Sequence, residues 1–413
     1  MNSMVNLNQA LHVASAEGLH MKELVPLALE GSGLNRRKWE EEWMLNNDPS
    51  LLSFGTADMD FKAPQAILDA ISGVVEKGHL GYQFIPDEYY KAIEDWLEKL
   101  SGWKIDAKSS TSHNVGIYMS IWMILEAIAS PGDEVIIQTP VHFCFKEMLK
   151  DNGLVPVENE LKRMGDSYTM DFEDLERCFS PRTKAVWICN PHNPVGRAWS
   201  RGELERLAAI CLKHDVVIIS DDVYCGLLYD GASYTPVASL SPEVSQRTVT
   251  CYSTSKIYNT TGLRYSFIVT ESKDLMEKYI TVLHRLDMTY GISTIGIVST
   301  TAAFTKAGSW LHEVMEQVQE NYRALEDAAG RLPGVKLFKP DATYFAWLDL
   351  SCLGLDAEEL GERLLKDAHL VVENGAHLGK GGEGCIRVNL GCGESTLRRG
   401  LERLTGFYNT IMG

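Results

Sequence analysis

The run Ser253-Thr254-Ser255-Lys256-Ile257-Tyr258-Asn259-Thr260-Thr261-Gly262-Leu263-Arg264 follows the β-branched segment Thr248 to Tyr252 and sets one lysine among hydroxyls and a guanidinium. A lysine directly after a strand lies at the edge where open α/β sheets collect their ligands. Two upstream segments have the same form. Asn190-Pro191-His192-Asn193-Pro194-Val195-Gly196 follows the apolar run Lys184 to Cys189, and Asp221-Asp222-Val223-Tyr224 closes the run Val216 to Ser220. Each of these alone is a common turn or cap; their order along one chain is what carries meaning.

Outward from these turns, the chain alternates between two periodicities. Helical spacing covers Ala63 to Lys77, Asp87 to Leu100, Val115 to Ala129, a stretch after Pro140, and Arg201 to His214. Short buried runs fall at Glu134 to Gln138, Lys184 to Cys189, Val216 to Ser220, Thr248 to Tyr252 and Ser266 to Thr270. Strands that alternate with helices predict an α/β fold with a mostly parallel sheet covered on both faces. From Thr294 to Arg331 helical pattern dominates. After Pro333-Gly334 the order is strand, strand, helix, strand, strand at Cys385 to Leu390, and a closing helix from Ser395, an α+β pattern. The expected division is an N-terminal segment 1–60 that completes the smaller domain, a large ligand-binding domain 61–293, and linking helices with the small domain over 294–413.

With 413 residues, two domains and a cleft between them are expected. A net charge of −17 with no long basic run argues against nucleic acid as a partner. Arg36-Arg37-Lys38 reads as a short exposed cluster. No basic segment followed by an unbroken apolar stretch opens the chain, and the most apolar internal run, Ile117 to Ala129, carries Glu126; a soluble, cytoplasmic protein away from membranes is the expectation. Nine cysteines without a CxxC pair indicate neither a disulfide framework nor a metal site, and read as buried small side chains in a reducing compartment.

The turn residues together suit pyridoxal 5′-phosphate. Lys256 is the candidate to hold the cofactor aldehyde covalently and to carry the Cα proton. Asp221 is the candidate to keep the pyridine nitrogen protonated; Asp222 competes, and the step of three residues to Tyr224 favours Asp221, because the phenol then reaches the ring 3′-oxygen from the same side. Asn193 is suited to donate to that oxygen. For the phosphate, Ser253, Ser255 and Arg264 offer side chains, and Ser112-His113-Asn114-Val115-Gly116, just before a helix, offers N–H groups with Val115 and Gly116 nearest the helix start. His142 is placed to stack on the ring. Arg387, set among apolar neighbours in the run Cys385 to Leu390, needs an anionic partner if buried; a substrate carboxylate is the first reading and an internal salt bridge the alternative, with Asn193 and Tyr344 as further substrate contacts.

These residues, with Ala57-Asp58-Met59-Asp60-Phe61, Gly81-Tyr82, Gln138-Thr139-Pro140, Tyr344-Phe345-Ala346-Trp347-Leu348-Asp349 and Ile386 to Cys392, resemble the fold-type I pyridoxal-phosphate enzymes of the class I/II aminotransferase superfamily over essentially the whole chain from Arg37. Within it the sequence is similar to the MalY/PatB type of cystathionine β-lyase. The resemblance implies a seven-stranded, mostly parallel sheet, a homodimer with shared active sites, and Tyr82 as a catalytic-site residue that reaches the phosphate in the neighbouring subunit. It also implies elimination of sulfur from Cβ, giving a thiol, pyruvate and ammonia. The site departs from that type: such lyases usually carry tyrosine at His142, histidine at Tyr224 and no arginine at Arg264, whereas Tyr224 and Arg264 look like the aminotransferases. A carbon–sulfur β-lyase is therefore expected first, an aminotransferase using a 2-keto acid second, and an elimination or replacement enzyme of specialised metabolism third. A non-catalytic regulator on the same fold is disfavoured by the joint presence of Lys256, Asp221 and Asn193.

Overall fold

The computed structural model describes residues 24–27, 33–289 and 293–413. Its large sheet comprises β1 (Thr111–Asn114), β2 (Glu134–Thr139), β3 (Val155–Glu160), β4 (Thr183–Cys189), β5 (Val217–Asp221), β6 (Thr248–Tyr252) and β7 (Ser266–Val269). The spatial order is β1-β7-β6-β5-β4-β2-β3, parallel throughout except that β7 runs antiparallel to β1 and β6. This is the expected seven-stranded α/β sheet.

Strand alternation explains the two covered faces. Val135, Ile137, Ala185, Trp187, Val217 and Ile219 point to one side and pack with the helices Ile117–Ile128, Cys144–Asp151 and Lys273–Arg285. Ile136, Val186, Ile188 and Ile218, one residue out of step, point to the other and meet Phe172–Cys178 and Arg201–Lys213. The latter helix starts on a reciprocal capping box between Ser200 and Glu203, which fixes where β4's long turn ends.

Two strands escape a reading by apolar runs. β1 and β3 are the sheet's edges; β1, Thr-Ser-His-Asn, is polar throughout and β3, Val-Pro-Val-Glu-Asn-Glu, is half polar. An edge strand has one partner and more solvent, so its sequence need not be continuously apolar. The run Ser112 to Asn114, expected to offer N–H groups to an anion at a helix start, pairs with β7 instead.

The second sheet holds β8 (Lys336–Phe338), β9 (Phe345–Asp349), β10 (Glu373–Asn374) and β11 (Cys385–Asn389), all antiparallel, in the order β8-β9-β11-β10. The helices Gly308–Ala329 and Glu394–Met412 flank it in sequence. Leu52–Ser53 pairs in parallel with Leu370–Val371. Upstream and downstream of that pairing, the chain is tied down by charge. Arg36 and Lys38 are buried, contrary to their reading as an exposed cluster, because the Asp60 carboxylate accepts from Arg36 Nη2 at 2.5 Å, Lys38 Nζ at 2.9 Å and Trp39 Nε1 at 2.7 Å. The sequence distance between Lys38 and Asp60 hid this partner. Among the described residues no helix is long and apolar enough to cross a membrane.

Candidate active site

A cavity of about 200 Å³ opens at the C-terminal ends of β4, β5 and β6, lined by Asn193, Asp221, Tyr224, Ser253, Ser255 and Lys256 among others. Parallel strands deliver the turns that follow them to the same edge, which is why residues as far apart as 193 and 256 meet. Gly116, His142 and Arg264 line the same cavity. Val115, Tyr344, Arg387 and Tyr82 do not.

Lys256 follows Ser253, which caps the short helix Thr254–Ile257. Its Nζ donates to the Ala57 carbonyl at 2.8 Å. Burial pushes the amine down to about 8, with Asp58 pulling the other way and Arg387 adding to the depression. Asp221 shows the opposite response. Burial raises its carboxyl to about 7, only partly offset by the Val223 N–H and Lys256. Its one hydrogen bond among the described residues is that N–H, at 3.4 Å. Asp222 faces away from the cavity, where its carboxylate accepts from Ser220 Oγ and Tyr234 Oη. Adjacent strand-end residues point to opposite faces, so only one of the two aspartates can line the cavity.

Around this pair the polar groups are lightly engaged. Asn193 Nδ2 lies 3.5 Å from Tyr224 Oη, and Asn193 Oδ1 accepts from Arg387 Nη1 at 2.9 Å. Ser253 Oγ donates to the Tyr265 carbonyl at 2.6 Å and sits 2.9 Å from Ser255 Oγ. Arg264 adopts a left-handed conformation with φ +50° at the end of the Thr261–Leu263 turn. Gly116, with φ +120°, leads into the helix Ile117–Ile128, a backbone shape that a side chain would strain. The Val115 N–H is spent on Asn114 Oδ1 at 2.7 Å, so the cavity receives Gly116 and the helix start rather than Val115.

His142 is held by Tyr118, whose Oη lies 3.0 Å from His142 Nδ1, and its ring stacks against Phe143 at 4.6 Å. Burial, then the charges of Arg387 and Lys256, lowers the imidazole to about 3, so the ring is neutral. Arg387 is 1% exposed and lies behind Asn193, its guanidinium 4.2 Å from the Phe345 ring and its Nη2 donating to the Gly55 carbonyl at 2.7 Å. Tyr344 packs edge-on to Tyr224 and its hydroxyl donates to the Ala57 carbonyl at 3.3 Å. Tyr82 is 87% exposed, away from the cavity of its own chain. Sequence reasoning missed the backbone of Gly55 and Ala57, which receives Arg387, Lys256 and Tyr344. A main-chain acceptor leaves no mark in residue type.

A seven-stranded, mostly parallel sheet with a half-buried lysine and a buried aspartate at its C-terminal edge defines the fold-type I class of pyridoxal-phosphate enzymes. The chain belongs to the aminotransferase class I and II family, whose model matches residues 50–404. It is 37% identical to cystathionine beta-lyase PatB of Bacillus subtilis (strain 168) over 91% of this chain and 97% of that one. Among solved structures it resembles pyridoxal-phosphate-containing cystalysin from Treponema denticola, with a TM-score of 0.89 and 26% identity over 95% of this chain and 100% of that one. A pyridoxal-phosphate-bound C-S lyase from Staphylococcus hominis matches with a TM-score of 0.86 and 28% identity over 95% and 98%.

Proposed function

We propose that this chain is a pyridoxal-phosphate-dependent carbon–sulfur β-lyase that converts cystathionine- or cysteine-type L-amino acids to a thiol, pyruvate and ammonia. The observation that carries the reading is the shared cavity of Lys256 and Asp221 in a chain 37% identical to a cystathionine β-lyase over nearly its whole length.

The residues fit the cofactor. Asp221, a buried carboxyl with one long hydrogen bond and a pKa pushed up to about 7, is a site for a cation such as a protonated pyridine nitrogen. Asn193 and Tyr224 would flank the ring 3′-oxygen, and neutral His142 would cover the ring face. Ser253, Ser255, Arg264 and the helix start after Gly116 would hold the phosphate. Bound there, the cofactor supplies a sink for the electrons of the Cα–H bond, which allows a thiolate to leave Cβ. Lys256, with its amine lowered to about 8, takes the proton from Cα near neutral pH and carries it at Nζ. Arg387, with Asn193 Oδ1 bracing it, pairs the substrate carboxylate and aligns Cα with that amine.

The working unit in this reading is a homodimer. Tyr82 sits between Leu80 and Phe84 in a strongly exposed apolar stretch, which a second copy would cover while taking Tyr82 to its own phosphate site. Sedimentation should give twice the chain mass. A cytoplasmic location is supported by nine cysteines that are all unpaired.

Aminotransferase activity is the second reading, favoured by Tyr224 and Arg264, both of which line the cavity. Incubation of the holoenzyme with L-cystathionine, and separately with L-amino acids plus 2-oxoglutarate, decides between them. Pyruvate and thiol release without consumption of a keto acid supports the lyase. Consumption of 2-oxoglutarate without pyruvate would overturn it.

A further inference from the structure

Arg387 is almost completely buried, yet its hydrogen-bond acceptors are neutral: the Asn193 side-chain oxygen and the Gly55 carbonyl. Its Nε has no partner among the described residues. A buried guanidinium so placed still needs an anion. Among the described residues, the carboxylate that stands within ion-pair range of it is that of Glu373, which faces Arg387 directly across the β10–β11 pairing. Oε2 of Glu373 lies 3.7 Å from Arg387 Nη2, close enough to attract and too far to hydrogen-bond. Its other oxygen, Oε1, lies 3.6 Å from Nδ1 of His377, which is on the exposed side of the same carboxylate. One carboxylate is thus suspended between an inner cation and an outer ring nitrogen, bonded to neither.

We propose that Glu373 is a specificity-determining residue that competes with the substrate carboxylate for Arg387 and, when displaced, is taken up by His377. The inference rests on the reading of Arg387 as the carboxylate partner. A ligand that reaches Arg387 must overcome the like charge of Glu373 and turn it outward. An amino acid, held also through its amine near Lys256, has affinity to spare for this. A simple carboxylic acid, whose grip is Arg387 alone, does not, so the device keeps abundant carboxylates from occupying the site. The unpaired Nε gives the incoming carboxylate a donor that Glu373 has not engaged.

The test uses 3-(methylthio)propionate, which carries the carboxylate and thioether but lacks the amine and cannot react. Its dissociation constant is measured by calorimetry on holoenzyme of the wild type, Glu373→Gln, His377→Gln, the double variant and Arg387→Lys. Removing the rival charge should tighten binding about tenfold in Glu373→Gln. Removing the outer ring donor that takes up Glu373 should weaken binding about threefold in His377→Gln, and that loss should vanish in the double variant. For a cleaved amino-acid substrate, KM should follow the same pattern while kcat moves little. Unchanged or weaker binding in Glu373→Gln, or a His377→Gln effect that persists in the double variant, overturns the inference while leaving the carboxylate reading intact if Arg387→Lys still weakens the probe. Probe binding indifferent to Arg387→Lys would remove both.

Discussion

Charge is buried around Asp60 and again around Asp221, and the two places treat it in opposite ways. Asp60 is saturated by Arg36, Lys38 and the Trp39 indole at 2.5 to 2.9 Å. Asp221, about as deeply buried, receives one N–H at 3.4 Å and answers by rising to about 7. In the first, the Asp60 carboxylate is fully engaged within the chain and holds a strap, residues 55 to 60, against the rest of the fold, although Arg36 Nη1 has no partner among the described residues. The second is incomplete within the chain, and groups left so are available to a ligand. Arg387 joins them, since it donates to Gly55 of the strap while its Nε finds no acceptor among the described residues.

The sharpest way to break this contrast is Lys256→Ala. Turnover should fall by about 10²–10⁴-fold and the yellow absorption of covalently held cofactor should disappear; an unchanged absorption band would refute the assignment. Asp60→Ala should act on the fold instead, leaving two cations buried without their carboxylate at a cost of about 3–5 kcal/mol in denaturant unfolding. A loss under about 1 kcal/mol would mean that the strap tolerates unpaired charge and that the contrast is false. Arg387→Ala should raise KM for carboxylate-bearing substrates by about 30-fold, mostly sparing kcat. An unaltered KM would place the carboxylate elsewhere.

The smallest effect is the pH dependence of cofactor-free protein. Burial lifts Asp221 from 3.8 to about 7 and Asp222 to about 8, so the folded chain keeps protons that the unfolded chain releases. Stability that is present below about pH 4 is therefore lost as pH rises through 7 to 8. Asp221→Asn should remove part of that slope in chemical denaturation between pH 5 and about 8, leaving the Asp222 share. Cofactor, by placing a cation on Asp221, should do the same to the wild type. A slope identical in all three would show that Asp221 is not the strained carboxyl.

Much of the sheet was legible because its central strands are continuous apolar runs that end in turns. The edges β1 and β3 were not, since one free edge relaxes the demand for apolar residues. The cavity residues Lys256, Asp221, Asn193, Tyr224, Ser253 and Ser255 were found by their position after strands, and the structure gathers them at one edge. Val115 was not distinguished from Gly116, because which N–H is already spent depends on where the Asn114 side chain folds back. Arg387, singled out by residue type, and Tyr344, singled out through the family resemblance, sit one layer behind the cavity lining, in contact with it through Asn193 and Tyr224.

The sequence by itself determined the α/β architecture, the order of the chemistry-bearing turns and the lysine and aspartate that meet there, because strand and helix periodicity and turn composition are local properties of a chain. Tertiary structure alone decided that Lys38 is buried on Asp60, that Ala57 and Gly55 present carbonyls to Lys256 and Arg387, and that Glu373 stands opposite Arg387. Those contacts depend on register and on chain segments separated by 14 to more than 300 residues, and no local pattern encodes which distant group will satisfy a buried charge.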